Sequence, residues 1–486
     1  MFIHDRPFLL TVMSLSKPIV MKFGGTSVED AHAFERVAHI VSRDQDSLPV
    51  VVVSAMSGMT DALLTSAAKA AQGDFSGAMG NLDRHFARHS EIVAKLDHED
   101  GLTISAYIDS TRREIEGLLR LLSLERYLSP EAEDKIAAYG ELLSSHLIAA
   151  FLRGRGIKAE LIDSRCCIVT DDEHGCAAPL THETFAALRR QLGAFARSEQ
   201  VPVLGGFVGA TVDGKTTTLG RGGSDYTAAL VGAATEAQEI QIWTDVCGVM
   251  TADPRVVPNA RRIDHLSYAE AAELAYFGAK VLHPKTIQPA VEAGIPVRVC
   301  NSRAPEEAGT LVCATTGRSP RTVKAIAHRT GVTTVQVTSS RMLGAYGFLR
   351  AIFEIFERHR TVVDVVATSE VSVSLSLDDA GGLATIVEEL QQLGTVTVDA
   401  NRAIVCVVGE GLRGTPGIAA RVFSTIDDIN VTLISQGASS INLTFAIEES
   451  RIVEAVARLH EAFFSEVNYQ SSQFKVRRSG YLCTNT

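Results

Sequence analysis

Three short stretches place cations, hydroxyls, carboxylates and glycines where phosphate chemistry could use them. The first is IVMKFGGTSVED, Ile19 to Asp30, in which Lys22 precedes the glycine pair Gly24 and Gly25. Phosphate loops of the G-x-x-x-x-G-K-[ST] type carry their lysine after the glycines, so this arrangement is a different one. Glycines let a backbone approach a phosphate closely, and amides at a helix start bind anions without any side chain. A lysine ending a strand can meet a transferring phosphoryl group as a point charge. Alone, KFGGTS reads equally well as a structural turn. The second stretch is TTTLGRGGSDYTAAL, Thr216 to Leu230, within a segment holding seven glycines from Gly205 to Gly223. A structural turn has no need of Arg221, Ser224 and Asp225 together, so this stretch reads as an anion or substrate site. The third is IWTDVCGVMTADPRVVPNA, where Thr244 and Asp245 follow a strand and Asp253 and Arg255 come shortly after. Ligands of open α/β sheets bind at strand C-termini. Three such sets imply phosphoryl transfer to a small polar acceptor.

These residues need a sheet to gather them. Pro18 to Phe23 reads as a first strand, followed by a helix that Ser27 could cap, with Phe34, Val37, Ala38 and Val41 on one face. The run PVVVV reads as a strand buried on both faces, hence part of a parallel sheet covered by helices. Residues from about 60 to 153 read as largely helical, and strand signals return at Ala159 to Ile162, Pro202 to Leu204, Gln238 to Trp243 and Ile295 to Val299. Ser267 and Glu270 fit a capping box, and Gly278 and Gly294 sit where helices should stop. Strands alternating with helices give an α/β domain over residues 17–315.

Length and composition bound the rest. A chain of 486 residues implies two to three domains. A net charge of −11 argues against a general nucleic-acid binder. Eight cysteines without a C-x-x-C pair read as reduced thiols of a cytoplasmic protein. No apolar run approaches the roughly 18 residues that cross a membrane. The N-terminal stretch lacks a small-residue cleavage site after its apolar patch, so residues 1–16 are expected to be a disordered tail and not a signal peptide, with Met13 a second candidate start.

The C-terminal part has a different rhythm. Asp364 onward (DVVATSEVSVSLSL) and Asn430 onward (NVTLISQGASSINLTF) align, each preceded by an amphipathic helix and followed by another. Two copies of a βαββαβ unit, over residues 325–400 and 401–480, account for this. TVTVDA closes the first copy, AIVCVVGEG opens the second and FKVRR ends it. GEGLRG, Gly409 to Gly414, formally matches G-x-G-x-x-G, but no acidic residue ends the strand NVTLIS. Only about 70 residues remain, too few for a doubly wound fold. The motif is therefore the strand–helix loop of the second copy and not a dinucleotide site.

The ordered set KFGGTSV, VVSAMSGMTD, YGELLSS, TTLGRGGSDYTAA, WTDVCGVMTADPR and FGAKVLHPKTIQPA resembles the aspartate kinases of the amino-acid kinase superfamily, in the monofunctional form with two C-terminal ACT-type modules. The resemblance covers Lys17 to about residue 475 and implies an αβα sandwich with a mainly parallel central sheet. It also implies ATP and Mg²⁺ as cofactors and L-aspartate as substrate, in the first step of lysine, threonine and methionine synthesis. Carried over residue by residue, Lys22, Arg221 and Asp225 are catalytic. Lys22, Gly24, Gly25, Ser27, Thr244, Asp245, Met250, Arg255, Lys280 and Val281 match nucleotide contacts, with Met250 where the family often has tyrosine. Thr60, Glu141, Arg221, Ser224 and Asp225 match the substrate site, Glu141 holding the ammonium and Arg221 the α-carboxylate.

The ACT-type modules resemble amino-acid sensors. Their effector pocket would use Met342, Gly347, Phe348, Leu349, Asp364, Thr368, Ser369 and Glu370. A carboxylate-rich pocket points to lysine before threonine, although Val362 stands where lysine-sensitive relatives often have serine. ACT-type repeats usually pair edge to edge, so a homodimer or larger assembly is expected. The nucleophile, a carboxylate of pKa about 4, is already ionised at neutral pH and needs no general base; His283 in VLHPKT therefore reads as structural. Two rivals remain, a kinase for glutamate or an acetylated glutamate and a catalytically dead amino-acid sensor.

Overall fold

The computed structural model describes residues 17–195, 198, 200–278, 282–314, 322–378, 381–437 and 439–465. The expected N-terminal tail and the FKVRR segment lie outside them. The described chain forms two compact bodies. The first runs to Val249 and adds Asp264–Tyr268 and Val281–Thr316; the second comprises Met250–Ile263, Ala269–Lys280 and the chain from Gly317 onward.

The first body is organised by an eight-stranded sheet. In spatial order its strands are Ala159–Ile162, Val201–Gly205, Val50–Val53, Ile19–Phe23, Glu239–Thr244, Val297–Asn301, Thr310–Cys313 and His265–Ser267. Every neighbouring pair is parallel except Val297–Asn301 with Thr310–Cys313. The valine run is buried at all four positions, as a strand covered on both faces must be. Met21, Phe23, Val51, Val53 and Val203 share one core with the helices Ala31–Arg43, Met59–Ala71, Phe75–Val93 and Pro130–Gly154. Alternation sends Val20, Val52 and Ile240 to the other face. There the helix Gly223–Thr235 lies so close that a Cβ on Gly232 would come within 2.5 Å of Ile240 Cδ1. This αβα sandwich is the arrangement the resemblance implied. Two local readings are corrected. Ser27 does not cap the first α-helix: it sits in a 3₁₀ turn, Gly25–Val28, and Asp30 caps the helix by accepting from Ala33 N at 2.8 Å.

The second body carries a six-stranded antiparallel sheet in the order Val366–Thr368, Ser372–Leu377, Ala325–Thr338, Thr395–Val408, Asn442–Glu448 and Val431–Gln436. Two cores form against it. One joins Val335, Val337, Val373 and Leu375 to Ile352, Phe356 and Ile386; the other joins Val405, Val407, Leu443 and Phe445 to Val422, Val456 and Leu459. The second correction concerns TVTVDA and AIVCVV, which are not separate strands. They fuse into one strand of 14 residues, Thr395–Val408. It pairs with the equally long Ala325–Thr338, whose ladder shifts register between Arg329 and Thr334. The polar positions 399–402 fall in the middle of the long strand and carry the shift, which is why the sequence reads there as a break.

Glu270, read as half of a capping box, is wholly buried. Its Oε2 accepts from Lys324 Nζ at 2.8 Å and its Oε1 from the Glu410 amide at 2.9 Å. Breaking such a pair leaves a buried charge uncompensated, at a cost of about 3–5 kcal/mol. Lys324→Met should lower the midpoint of urea unfolding accordingly, and adding Glu270→Gln, which removes the charge but keeps an acceptor for Glu410, should restore much of the loss.

Candidate active site

The C-terminal ends of the central strands are laced together by backbone contacts. Ser54 N donates to Phe23 O at 3.0 Å, Gly206 N to Val53 O at 2.7 Å and Gly24 N to Trp243 O at 3.0 Å. Ser144 Oγ, on the helix Pro130–Gly154, donates to Ser54 O at 2.7 Å. Gly25 is required sterically, since a Cβ there would lie 2.9 Å from Ala55 O. Gly222, which opens the helix Gly223–Thr235, has φ 75°, and a Cβ would meet Thr286 Cγ2 at 2.7 Å. Thr286 belongs to the turn Pro284–Ile287, where His283 accepts from Lys285 N at 3.3 Å. The histidine thus holds a turn that packs against the glycine pair.

On this scaffold Lys22 Nζ lies 2.7 Å from Asp225 Oδ1, with both side chains mostly buried. Ser224 is buried beside them, close enough that a Cβ on Gly206 would fall 2.6 Å from its own Cβ. Asp225 occupies the first turn of its helix, where a negative charge is favoured by the dipole. This is an α-helix N-terminus, a type of position suited to an anion. The first glycine pair leads only into a 3₁₀ turn. Arg221 stands one residue before Gly222 with an exposed side chain.

Glu141 is the least ordinary group here. It is 4 % exposed, and its Oε2 is buried with no hydrogen-bond partner among the described residues. Burial pushes its carboxyl up to about 8, against the opposing pull of the Ala55 amide and of Lys22. The next residue along, Gly140, approaches Thr60, whose Oγ1 would lie 3.4 Å from a Cβ at that glycine. Lys22, Asp225, Ser224, Glu141 and Thr60 are thus gathered around the ends of adjacent strands.

Thr244 and Asp245 end the strand Glu239–Thr244, with Thr244 Oγ1 donating to Asp245 Oδ1 at 3.2 Å. The sequence reading missed Asn301 and Ser302 beside them. Ser302 Oγ accepts from Ser27 Oγ at 2.8 Å and donates to Thr244 O at 3.1 Å, while Asn301 Nδ2 reaches Cys247 Sγ at 3.1 Å. Their signal was the polar NSR closing the apolar strand VRVC. Met250, Asp253 and Arg255 belong to the second body. There Met250 bridges to Arg262, and Arg255 pairs with Asp253 at 2.7 Å while largely exposed. Lys280 and Val281 lie outside the described residues.

Within the second body, Gly347 (φ 83°) opens the helix Phe348–Arg358, and Met342 ends the short turn Ser340–Met342. Ser339 N donates to Val371 O at 2.8 Å, which brings that turn next to the hairpin carrying Thr368, Ser369 and Glu370. Leu349, Thr368, Ser369 and Glu370 are exposed and Phe348 is half-buried. Asp364 is different. Its Oδ1 accepts from the Tyr276 hydroxyl and its Oδ2 lies 3.4 Å from Arg329, which also pairs with Asp378 and stacks over the Tyr276 ring at 4.8 Å. Burial raises its carboxyl to about 6.

A mainly parallel sheet whose strand ends hold a lysine–aspartate pair, a buried carboxylate and a glycine-opened helix N-terminus defines a small-molecule phosphotransferase. The profile of the amino acid kinase family matches residues 17–301, and that of an ACT domain matches residues 405–463. The lysine-sensitive aspartokinase 3 of Escherichia coli is 39 % identical over 93 % of this chain and all of its own length. The chloroplastic aspartokinase 3 of Arabidopsis thaliana is 38 % identical over 92 % of this chain and 81 % of its own. Among solved structures, Escherichia coli aspartokinase III in complex with aspartate and ADP is 38 % identical, covers 92 % of this chain and all of its own, and superposes with a TM-score of 0.80. The chain belongs to the amino acid kinase family and, within it, to the aspartokinases.

Because the folded protein keeps the Glu141 proton up to about pH 8 and the unfolded chain releases it near pH 4.5, this group favours folding at low pH. The contribution fades as pH rises between those values. Glu141→Gln should therefore gain thermal stability over the ligand-free parent as pH is raised from 5 to 8. A difference in Tm that stays constant across that range would contradict the assignment.

Proposed function

We propose that this protein transfers the γ-phosphoryl group of ATP to the side-chain carboxylate of L-aspartate, giving 4-phospho-L-aspartate and ADP, the entry to lysine, threonine and methionine synthesis. The observation that carries the substrate assignment is the buried, unpartnered oxygen of Glu141. A carboxylate left without a cation in a desolvated position fits an α-ammonium group and rejects an N-acylated acid. Arg221 supplies the charge for the α-carboxylate, and Thr60, Ser224 and Asp225 complete the substrate site.

The reaction forms a bond between a carboxylate oxygen and Pγ and breaks the bond from Pγ to the β-bridging oxygen. No proton moves, because the nucleophile is ionised at neutral pH. What the protein must do is align two anions and offset their repulsion. Lys22, paired with Asp225 at 2.7 Å, would stabilise the transferring group, and the turns at Gly24–Gly25 and Gly222–Gly223 would let the backbone approach the phosphates. Among the described residues no cluster of three or more His, Cys, Asp or Glu side chains could cage a metal ion. That donor set fits Mg²⁺ carried in by the nucleotide, its ligands being phosphate oxygens, water and a carboxylate at the strand ends, Asp225 or Asp245. The ion would neutralise phosphate charge.

We place the regulatory site at the ACT modules, with lysine as the first candidate effector, the chain assembled as a homodimer through those modules, and the enzyme in the cytoplasm. Among the described residues no helix is long and apolar enough to cross a membrane, and the seven described cysteines are free thiols.

A hydroxamate assay for acyl phosphate tests the activity: aspartate should give product, and glutamate and N-acetylglutamate should not. Lys22→Ala should lower kcat by at least ~10², and an unchanged kcat removes Lys22 from the mechanism. Aspartate binding at pH 7 should release about one proton, as Glu141 ionises to meet the ammonium; calorimetry in buffers of different ionisation enthalpy reads it. Millimolar lysine should inhibit, and no response to lysine or threonine refutes the regulatory assignment.

A further inference from the structure

We infer that Arg88 is a positioning residue for phosphoryl transfer, one that fixes the loop carrying the substrate threonine against the loop carrying the phosphate-binding glycines. The inference rests on the kinase reading above. Arg88 lies on the helix Phe75–Val93, distant in sequence from every motif that reads as chemistry. Its Nη1 donates to Ser57 O at 2.8 Å and its Nη2 to Glu29 O at 2.6 Å. Glu29 closes the 3₁₀ turn Gly25–Val28. Ser57 lies in the turn that leads into the helix Met59–Ala71, whose second residue is Thr60.

The two loops already touch. Ser57 N donates to Gly25 O at 3.1 Å, and the Ala55 carbonyl leaves no room for a Cβ on Gly25. The Ala55 amide in turn is a partner of Glu141. A single guanidinium therefore adds a side-chain tie to a frame otherwise held by the backbone bonds Ser57 N to Gly25 O and Ser54 N to Phe23 O, and the frame holds Thr60 and Glu141 in a fixed relation to Gly24, Gly25 and Lys22. Two carbonyl acceptors suit the planar fork of arginine, whereas an ammonium on a flexible stem meets one of them as a point donor. The helix face beside Arg88 is closed by His85, whose ring would lie 3.4 Å from a Cβ on Gly58, and by His89, which burial pushes down to about 4 with the Arg88 charge adding to it. The positive charge of that face is thus left to arginines. Misplacing reacting groups by about 1 Å can cost 10²-fold in rate, so a tie of this kind matters for the chemical step without touching substrate.

The experiment compares Arg88→Ala and Arg88→Lys with the parent full-length enzyme, using the hydroxamate assay, KM for aspartate and ATP, and thermal unfolding. Parent activity with aspartate tests the kinase reading independently of Arg88. We expect both variants to fold and kcat to fall about 10-fold or more while the KM values change by less than about threefold, the pattern of a contribution made to the transition state. Millimolar guanidinium should restore part of the activity of Arg88→Ala and none to the parent. A kcat within about twofold of the parent in both variants, or activity lost only in proportion to the unfolded fraction with no rescue by guanidinium, overturns the inference.

Discussion

A buried carboxylate with one unpartnered oxygen sits at the strand ends of this protein's first body. Glu141 Oε2 has no hydrogen bond among the described residues, and the residue is buried on the helix Pro130–Gly154. The effective penalty for an isolated ion in such a place is several kcal/mol, and the empty protein avoids it by keeping the proton. A ligand ammonium reverses the balance, because it supplies both the opposite charge and the missing donor. On the proposed reading, an acceptor acid whose amine is acylated would leave that oxygen unmatched, and discrimination built on unpaired buried groups is steep.

That carboxylate is useful only because strand ends approach closely enough to share a site. The same closeness decides what the glycines do. A side chain on Gly25 would strike Ala55 O, and one on Gly206 would strike Ser224, so the glycines are first of all a packing requirement of the edge where Lys22 and Asp225 meet. Lys22 is paired with Asp225, while Glu141 feels the lysine only as a more distant charge. Lysine, aspartate and glutamate thus form an ordered set in which only one pairing is made before the ligand arrives.

The sequence carried the catalytic body well and the regulatory body less well, for physical reasons. The valine run, the glycine pairs and the alternation of strands with helices are strong local signals, and they place Lys22, Thr244 and Asp245 at strand ends and Ser224 and Asp225 at a helix start. Glu141 was reached through resemblance, since nothing in YGELLSS announces that a carboxylate will be buried. Ser302 and Arg88 act through contacts with residues 275 and 59 or fewer positions away, and contacts between distant segments leave no periodic trace. The fused strand Thr395–Val408 was hidden by its polar middle. Ser27 looked like a helix cap because a short polar residue near a helix start usually is one; in this fold its hydroxyl bonds Ser302 instead.

The effector residues present the opposite electrostatic situation from the substrate residue. Asp364 is also a desolvated carboxylate, but it already accepts from Tyr276 and faces Arg329. An ammonium entering there gains the difference between two sets of partners and not a full ion pair. On the proposed reading, such an ammonium would compete with the Tyr276 hydroxyl and Arg329 for Asp364. Tyr276 ends the helix Tyr268–Tyr276, and Arg329 sits at the register shift of the long strand pair. A ligand at Asp364 would act on both elements, and it could shift the structure only by its difference in affinity for the two arrangements.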